Sequence, residues 1–202
     1  MIDFEKVFKV FEKNYTLVPL EIYSDDPYKT LVSTILSART NDDTTLARCN
    51  VLFRKAPDID SLNKLTEQQI SEIIYPIGFY KTKAKNLKKT MKALIDNFDS
   101  NIPQNREDLM SLPGVGRKTA NLVLNRAFGV PAIAVDTHVH RITNLLNWVN
   151  TKTPQQTEFE LIKILPQKYW SDTNKLFVSI GRQYRSERQI RKFLQKNKLL
   201  IK

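Results

Sequence analysis

Residues 112–146 read LPGVGRKTANLVLNRAFGVPAIAVDTHVHRITNLL, and this stretch decides the fold. Helical apolar spacing on both sides of Gly114-Val115-Gly116 predicts two helices joined by a tight hairpin. The two glycines let the backbone turn with positive φ and leave no side chain in the way of an approaching polymer. The helix that follows presents N–H groups that can bind a phosphate oxygen. An ordinary corner between two helices would use the same glycines, so the hairpin alone leaves both interpretations open.

Lys118 falls in the first turn of that second helix, which is predicted over about 117–128 and closed by Gly129. A cation at this end opposes the helix dipole, and together with the neighbouring Arg117 this favours the neutral amine. A neutral amine is a nucleophile and can form an imine with an aldehyde sugar. A lysine that contacts phosphate, or one that is only solvated, fits the same position.

Asp136 precedes a helical pattern that is predicted to run to about Trp148, which is typical of a helix N-cap. Capping keeps a carboxylate ionised and fixes its direction. A carboxylate held in this way can stabilise a developing oxocarbenium ion, although capping as its entire role is the alternative. His138 and His140 stand two apart on opposite sides of the helix, so no helical metal pair is predicted.

The composition predicts a basic protein with a polyanionic partner. The 202 residues include 32 Lys and Arg against 21 Asp and Glu, a formal charge of +11. Nucleic acid is the usual partner for such a surplus, and a basic soluble protein without one is the alternative, with a membrane surface as a third option. Charges every few residues in the N-terminal segment predict neither a signal peptide nor a membrane span, so we expect an intracellular, cytoplasmic protein. The single cysteine, Cys49, excludes an internal disulfide and is expected to be a buried thiol.

Long apolar-periodic stretches and only 5 glycines predict an all-helical protein. One segment begins with the capping box formed by Thr66 and Gln69. Apart from the helices already described, the pattern predicts helices over about 3–14, 27–37, 42–54, 65–74, 80–98, 105–111, 154–169 and 171–182.

Residues 112–146 strongly resemble the endonuclease III branch of the helix-hairpin-helix (HhH-GPD) glycosylase superfamily. LVSTILSARTND at 31–42 and IGFYKTKAKNL at 77–87 extend the resemblance, which covers about 25–182. The combination of LPGVGRKTA with VDTH is far more specific than either piece.

The resemblance implies an all-α fold of two helical lobes with a DNA-binding cleft between them. A six-helix lobe with the hairpin would be formed by 20–130, and a second lobe with a basic C-terminal tail by 1–19 and 131–202. The implied activity is that of a bifunctional DNA glycosylase, which removes damaged, oxidised pyrimidines and cleaves the abasic site by β-elimination. The partner would be double-stranded DNA with a damaged base or an abasic site, bound by a monomer. A T/U mismatch glycosylase and a non-catalytic DNA-binding helix-hairpin-helix protein are the alternatives.

The resemblance also implies roles for individual residues. The family's Schiff-base lysine falls on Lys118, and its catalytic carboxylate falls on Asp136. The hairpin carbonyls that would hold a Na⁺ or K⁺ ion correspond to Met110, Leu112 and Val115. DNA contacts are expected at Arg39, Phe79, Gly114, Val115, Gly116, Arg117, Thr119, His138, Arg182 and Arg185.

This sequence departs from the family pattern at two places. Arg39 stands where many members carry glutamine in the loop that enters the DNA stack. Phe79 matches a second, apolar wedge position, for which an aromatic that packs in the core or between lobes is the alternative. Gly181-Arg182 is followed by no cysteine, and a [4Fe–4S] cluster needs four thiolates, so no cluster and no required cofactor are predicted. We expect the basic tail to replace the cluster's positive DNA-facing loop, with a solvated terminal helix as the alternative.

Overall fold

The structure is a computed structural model of the chain and describes residues 2–200. Those residues form helices and no strand, which confirms the predicted all-helical class. No helix among them is both long enough and apolar enough to cross a bilayer. The α-helices are α1 Phe4–Lys13, α2 Pro27–Ser37, α3 Asp42–Lys55, α4 Ile59–Lys64, α5 Glu67–Ile74, α6 Tyr80–Phe98, α7 Arg106–Ser111, α8 Arg117–Phe128, α9 Thr137–Leu145, α10 Pro154–Ile164, α11 Trp170–Gln183 and α12 Glu187–Lys196.

The chain divides into two compact units. Pro19–Val130 forms one unit with α2 to α8, and Met1–Val18 together with Pro131–Lys202 forms the other with α1 and α9 to α12. These limits lie within one residue of the predicted lobe boundaries. The predicted number of six helices in the first lobe is wrong, because α4 was not expected. Its 6 residues are too few to show an apolar period, although its capping box of Asp58 and Ser61 is a local signal.

Helix α6 is the long central element of the unit Pro19–Val130, and it has the predicted bounds. Its buried stripe of Ala84, Leu87, Met91 and Leu94 follows the helical period. The helix packs against α2, α4 and α5, and α8 packs against α2 and α7. The hairpin helices α7 and α8 therefore belong to the same core as α6.

Aromatic rings connect the first helix to the later part of the chain in the other unit. Phe8 stacks on Tyr169 with ring centroids 4.3 Å apart, and Phe11 meets Phe177 edge-on at 4.9 Å. Phe8, Phe11 and Phe177 are all buried. Such pairs add to the burial of large apolar surface, so α1 and α11 share one core although they are distant in sequence.

The basic C-terminal tail forms α12, an amphipathic helix that packs into this same core. Ile190, Phe193 and Leu194 are buried, and the Phe193 ring lies 4.7 Å from that of Tyr184 and 6.0 Å from that of Phe11. The tail is therefore not a merely solvated terminal helix. The exposed basic residues of α12 are Arg188, Arg191, Lys192 and Lys196.

Two predicted helices end earlier than their apolar pattern suggested. Helix α9 stops before Asn147, whose φ of 55° is left-handed, and the Trp148 N–H donates to the Thr143 carbonyl at 3.0 Å. This Schellman ending turns Trp148 into the core without extending the helix. Helix α10 ends at Ile164 because Pro166 disfavours helical backbone in the residue before it. A 3-10 turn, Gln167–Tyr169, follows.

Cys49 is fully buried in α3, as expected. Burial raises the pKa of its thiol to about 12. The thiol therefore stays protonated near neutral pH and behaves as a small apolar core group.

The packing of α12 predicts that Phe193→Ala strongly destabilises the protein. Removal of a buried aromatic ring leaves a cavity, and such changes cost about 3–5 kcal/mol of unfolding free energy. Lys192→Ala is the matched control on the exposed face, where the expected change is within about 0.5 kcal/mol. Urea denaturation followed by circular dichroism measures both. A loss below about 1 kcal/mol for Phe193→Ala would show that α12 is not part of the core.

Candidate active site

The glycine hairpin lies between α7 and α8, as predicted. Gly114 has a φ of +80°, and a Cβ at this position would lie 2.9 Å from Asn86 Nδ2 on α6. Gly116 has a φ of −94°, so the expectation of positive φ holds for Gly114 alone. A Cβ on Gly116 would meet nothing within 4 Å, so the start of α8 is sterically open. Backbone conformation and packing therefore require glycine at position 114, whereas glycine at position 116 leaves the start of α8 without a side chain.

Two hydrogen bonds hold the hairpin against its own unit. Thr90 Oγ1 on α6 donates to the Pro113 carbonyl at 2.8 Å. Arg106 Nε on α7 donates to Asn121 Oδ1 on α8 at 2.8 Å, and Thr90 and Asn121 are fully buried. Val115 at the tip of the hairpin is buried as well. The hairpin is therefore fixed by packing and buried polar contacts rather than by its glycines alone.

Lys118 is an exposed residue in the first turn of α8, between the half-buried Arg117 and Thr119. Gly116 provides no side-chain cap, and the first turn carries no acidic residue. The N-terminal end of a helix has a partial positive charge, and Arg117 and Lys118 add to it. This end of α8 can therefore bind an anion, and it exposes an amine beside that anion.

The carbonyl groups predicted to hold a monovalent cation lie at the end of α7 and in the hairpin. Met110 is in the last turn of α7, where carbonyls have no acceptor role within the helix. The Leu112 carbonyl accepts the Val115 N–H at 3.1 Å and retains a second lone pair. These oxygens fit a cation by their chemistry, and the cation stays a prediction.

Asp136 is the N-cap of α9, as predicted. Its Oδ1 accepts the backbone N–H groups of His138 and Val139, both at 2.9 Å. The chain that leads into Asp136 is buried and held by Asn174, whose Nδ2 donates to the Ala134 carbonyl at 2.9 Å. Both capping bonds engage Oδ1, so the half-buried carboxylate is fixed in direction without using Oδ2.

His138 and Arg185 lie in one cluster that is organised by Arg141. Arg141 Nη1 donates to the Arg185 carbonyl at 2.8 Å, and Nη2 lies 3.4 Å from His138 Nδ1. A Cβ at Gly181 would overlap the His138 ring, so only glycine fits there. Arg182 follows Gly181 at the end of α11. Sequence reasoning did not assign Arg141, although its spacing of three from His138 places both on one side of a helix.

Arg39 and Phe79, the two predicted wedge residues, are brought together by the fold of Pro19–Val130. The Arg39 guanidinium carbon lies 5.5 Å from the centre of the Phe79 ring, within cation–π range. Both residues have left-handed backbone, with φ of 55° and 57°. Phe79 is 60% exposed, so it is not an aromatic of the core. Insertion of these side chains into DNA stays a prediction.

Lys83 is a buried residue that sequence reasoning missed. It is 6% exposed, and its Nζ donates to the carbonyls of Leu36 at 2.8 Å and Ala38 at 2.6 Å, and to Thr40 Oγ1 at 3.3 Å. Burial lowers the pKa of Lys83 to about 8, so near pH 7 the amine is mostly protonated. The signal in the sequence was a lysine four residues before Leu87 on the apolar stripe of α6.

Comparison with known proteins defines the class of this chain. The profile of a family described as "HhH-GPD superfamily base excision DNA repair protein" matches residues 32–167. That span is more than half of the chain, so the chain belongs to this superfamily of base excision DNA repair proteins.

Within the superfamily, the chain is similar to endonuclease III. Endonuclease III of Thermotoga maritima is 42% identical over 158 residues, which cover 78% of this chain and 74% of the relative. Endonuclease III of Synechocystis sp. is 35% identical over 178 residues, which cover 88% of this chain and 81% of the relative. These relatives confirm the predicted resemblance and the predicted class of enzyme, a DNA glycosylase and abasic-site lyase of base excision repair.

Solved structures agree with this assignment. A non-covalent endonuclease III–DNA complex matches with a TM-score of 0.81 and 32% identity, over 93% of this chain and 89% of that chain. A thermostable thymine-DNA glycosylase matches with a TM-score of 0.83 but only 22% identity, over 96% of this chain and 90% of that chain. At that identity the second match shows a shared fold only.

The cap geometry predicts that Asp136→Ala destabilises the fold, whereas Asp136→Asn does not. Loss of an N-cap acceptor costs about 1 kcal/mol of unfolding free energy, and Asn caps a helix about as well as Asp. Urea denaturation of the two variants beside the wild type measures the difference. If Asn destabilised the protein as much as Ala, the negative charge and not the acceptor oxygen would stabilise this helix end.

Proposed function

We propose that this enzyme removes oxidised pyrimidines from double-stranded DNA and cleaves the abasic site through a Schiff base on Lys118. The observation that carries the proposal is an exposed lysine on the uncapped, acid-free first turn of α8, directly after a glycine hairpin. A helix end of this kind can bind a phosphate, which supports binding of a DNA phosphate near this amine. The family supplies the context of base excision repair.

In the proposed reaction, Asp136 assists departure of the base and Lys118 acts on the sugar. The ionised Asp136 stabilises the oxocarbenium character that develops as the base departs. The Lys118 amine attacks the sugar carbon that carried the base, and loss of the ring oxygen from that carbon gives the imine. The imine acidifies the neighbouring C–H bond. Removal of that proton breaks the bond to the 3′ phosphate oxygen, which completes β-elimination.

The hairpin is proposed to bind the DNA backbone rather than the bases. Gly114 and Gly116 have no side chain, the Val115 side chain is buried, and Arg117 and Thr119 lie in the first turn of α8. Contacts of this kind fix the register of a protein on DNA and carry no base preference. A Na⁺ or K⁺ ion held by the carbonyls of Met110, Leu112 and Val115 would supply positive charge next to the same phosphate.

Base extrusion is proposed to involve Arg39 and Phe79. An enzyme that acts on a base within a duplex has to unstack it, and the gap has to be filled. The exposed guanidinium and ring, held within 5.5 Å of each other, offer one polar and one apolar filling group. His138, Arg182 and Arg185 are proposed to add contacts to DNA from the other unit.

We propose that the enzyme works as a cytoplasmic monomer without an iron–sulfur cluster. The chain has 1 cysteine, and a [4Fe–4S] cluster needs four thiolates. Helix α12 supports this proposal because its core contacts give the C-terminal segment a metal-free anchor. Its exposed basic face supports contact with phosphates in place of a cluster loop.

The absence of cluster ligands predicts a colourless enzyme that is active without iron. Purified protein should lack the broad visible absorbance of sulfur-to-iron charge transfer, and chelator treatment should leave abasic-site cleavage unchanged. Metal analysis beside the visible spectrum tests this. Stoichiometric iron with a visible band would contradict the proposal.

The lysine mechanism predicts separate defects for Lys118→Gln and Asp136→Asn. With borohydride, the wild type should form a covalent adduct with DNA, and Lys118→Gln should lose both the adduct and strand cleavage while it still binds DNA. Asp136→Asn should remain folded and lose base excision by about 10², or roughly 3 kcal/mol of transition-state stabilisation. Trapping gels measure the covalent adduct. Single-turnover excision is measured on two separate duplexes, one with an oxidised pyrimidine and one with a T·G mismatch.

Persistence of the trapped adduct in Lys118→Gln would contradict Lys118 as the nucleophile. Full activity of Asp136→Asn would reduce Asp136 to a helix cap. Preference for the T·G mismatch over the oxidised pyrimidine would favour a mismatch glycosylase on the same fold. Binding without any excision or nicking would favour a non-catalytic DNA-binding protein.

A further inference from the structure

Two loops in the unit Pro19–Val130 approach each other so closely that they form one joined element. The N–H of Gly78 donates to Thr40 Oγ1 at 3.1 Å. A Cβ on Gly78 would lie 2.9 Å from the Arg39 carbonyl oxygen, so the loops meet backbone to backbone. Phe79 follows directly, and its ring lies under the Arg39 guanidinium. The positions of Arg39 and Phe79 are therefore not independent.

The ammonium group of Lys83 binds the loop that carries Arg39. Its three acceptors are Leu36, Ala38 and Thr40, and an ammonium group has three protons to donate. Leu36 is near the end of α2, where the carbonyl groups lack partners within the helix. A buried charge is retained only where it is well hydrogen-bonded, which is the case here. Lys83 thus satisfies the end of α2 and fixes the path of the chain through Arg39.

We propose that Lys83 is a positioning residue for base extrusion, which holds the Arg39 loop against the Phe79 loop so that both side chains enter DNA as one preorganised wedge. The inference rests on the proposed function and deepens it. Left-handed backbone at both Arg39 and Phe79 supports it, because non-glycine residues keep that conformation only where the surroundings impose it. Lys83 supplies that constraint from inside the unit through its three hydrogen bonds, because its side chain is buried.

The test compares Lys83→Met with Lys85→Met. Methionine keeps the length of the lysine stem and removes the three donated hydrogen bonds. Lys85 is exposed on the same helix, so its variant loses the same charge without touching the loops. Single-turnover excision of an oxidised pyrimidine should fall by about tenfold or more in Lys83→Met, because small misplacement of a positioning group has effects of this size. Cleavage of a preformed abasic site should stay within about threefold, since little remains to be extruded. Lys85→Met should leave the ratio of the two rates unchanged.

A spectroscopic signal separates positioning from general loss of structure. A duplex with 2-aminopurine opposite an uncleavable abasic analogue reports unstacking by its fluorescence, and this readout needs no catalysis. At saturating protein, the fluorescence increase should be smaller with Lys83→Met than with the wild type and unchanged with Lys85→Met. Because Lys83 is proposed to position Arg39 as one part of the wedge, Lys83→Met should slow excision by a smaller factor in the Arg39→Ala background than in the wild type, which is the non-additivity expected of coupled residues.

Three results would overturn the proposal: equal losses on both substrates in a folded Lys83→Met, a wild-type fluorescence increase in that variant, or additive effects with Arg39→Ala. If Lys83→Met does not fold, Thr40→Val takes its place, because it removes the hydroxyl shared by Lys83 and Gly78 at nearly constant volume. The same outcomes then decide. If the wild-type protein excises no base, the proposed function is wrong. The fluorescence measurement needs no catalysis, so it still tests the role of Lys83.

Discussion

Two buried polar side chains of α6 hold two separate loops in place by hydrogen bonds. Lys83 binds the chain around Arg39, and Thr90 binds Pro113 in the hairpin. Two helical turns separate Lys83 from Thr90, or about 10 Å along the axis. Because a packed helix does not change length, the spacing between the Arg39 loop and the hairpin is set inside the core and not by solvent-exposed loop residues. The surface geometry of this unit therefore depends on α6.

Most of the fold follows from local signals, and the errors have physical causes. The bounds of α2, α6 and α8 agree with the apolar period, and the capping box of Thr66 and Gln69 begins α5 as predicted. The ends of α9 and α10 were predicted too late because apolar residues continue past the helix. Trp148 packs into the core from a turn, and Pro166 interrupts α10 by sterics that an apolar count ignores.

The residues of the candidate site also fall into those that local sequence signals identify and those that they do not. Gly114, Lys118 and Asp136 stand in contiguous motifs, so their types and spacing were enough to single them out. Lys83 and Arg141 were missed because their roles come from tertiary packing. The sequence reports a lysine and an arginine, and it does not report which backbone carbonyls the fold brings to their nitrogen atoms.

The two units differ in how much of the chain each needs. Pro19–Val130 is continuous, whereas the core around Asp136 needs α1 from the start of the chain and α12 from its end, as the contact of Phe11 with Phe193 shows. At roughly 5–20 residues per second, a ribosome adds α12 several seconds after Val130. We expect the lysine-bearing unit to fold first on the nascent chain. The core around Asp136 is then completed only after α12 has been made, so for that interval the nascent chain carries a folded Lys118 unit and an unfinished Asp136 unit.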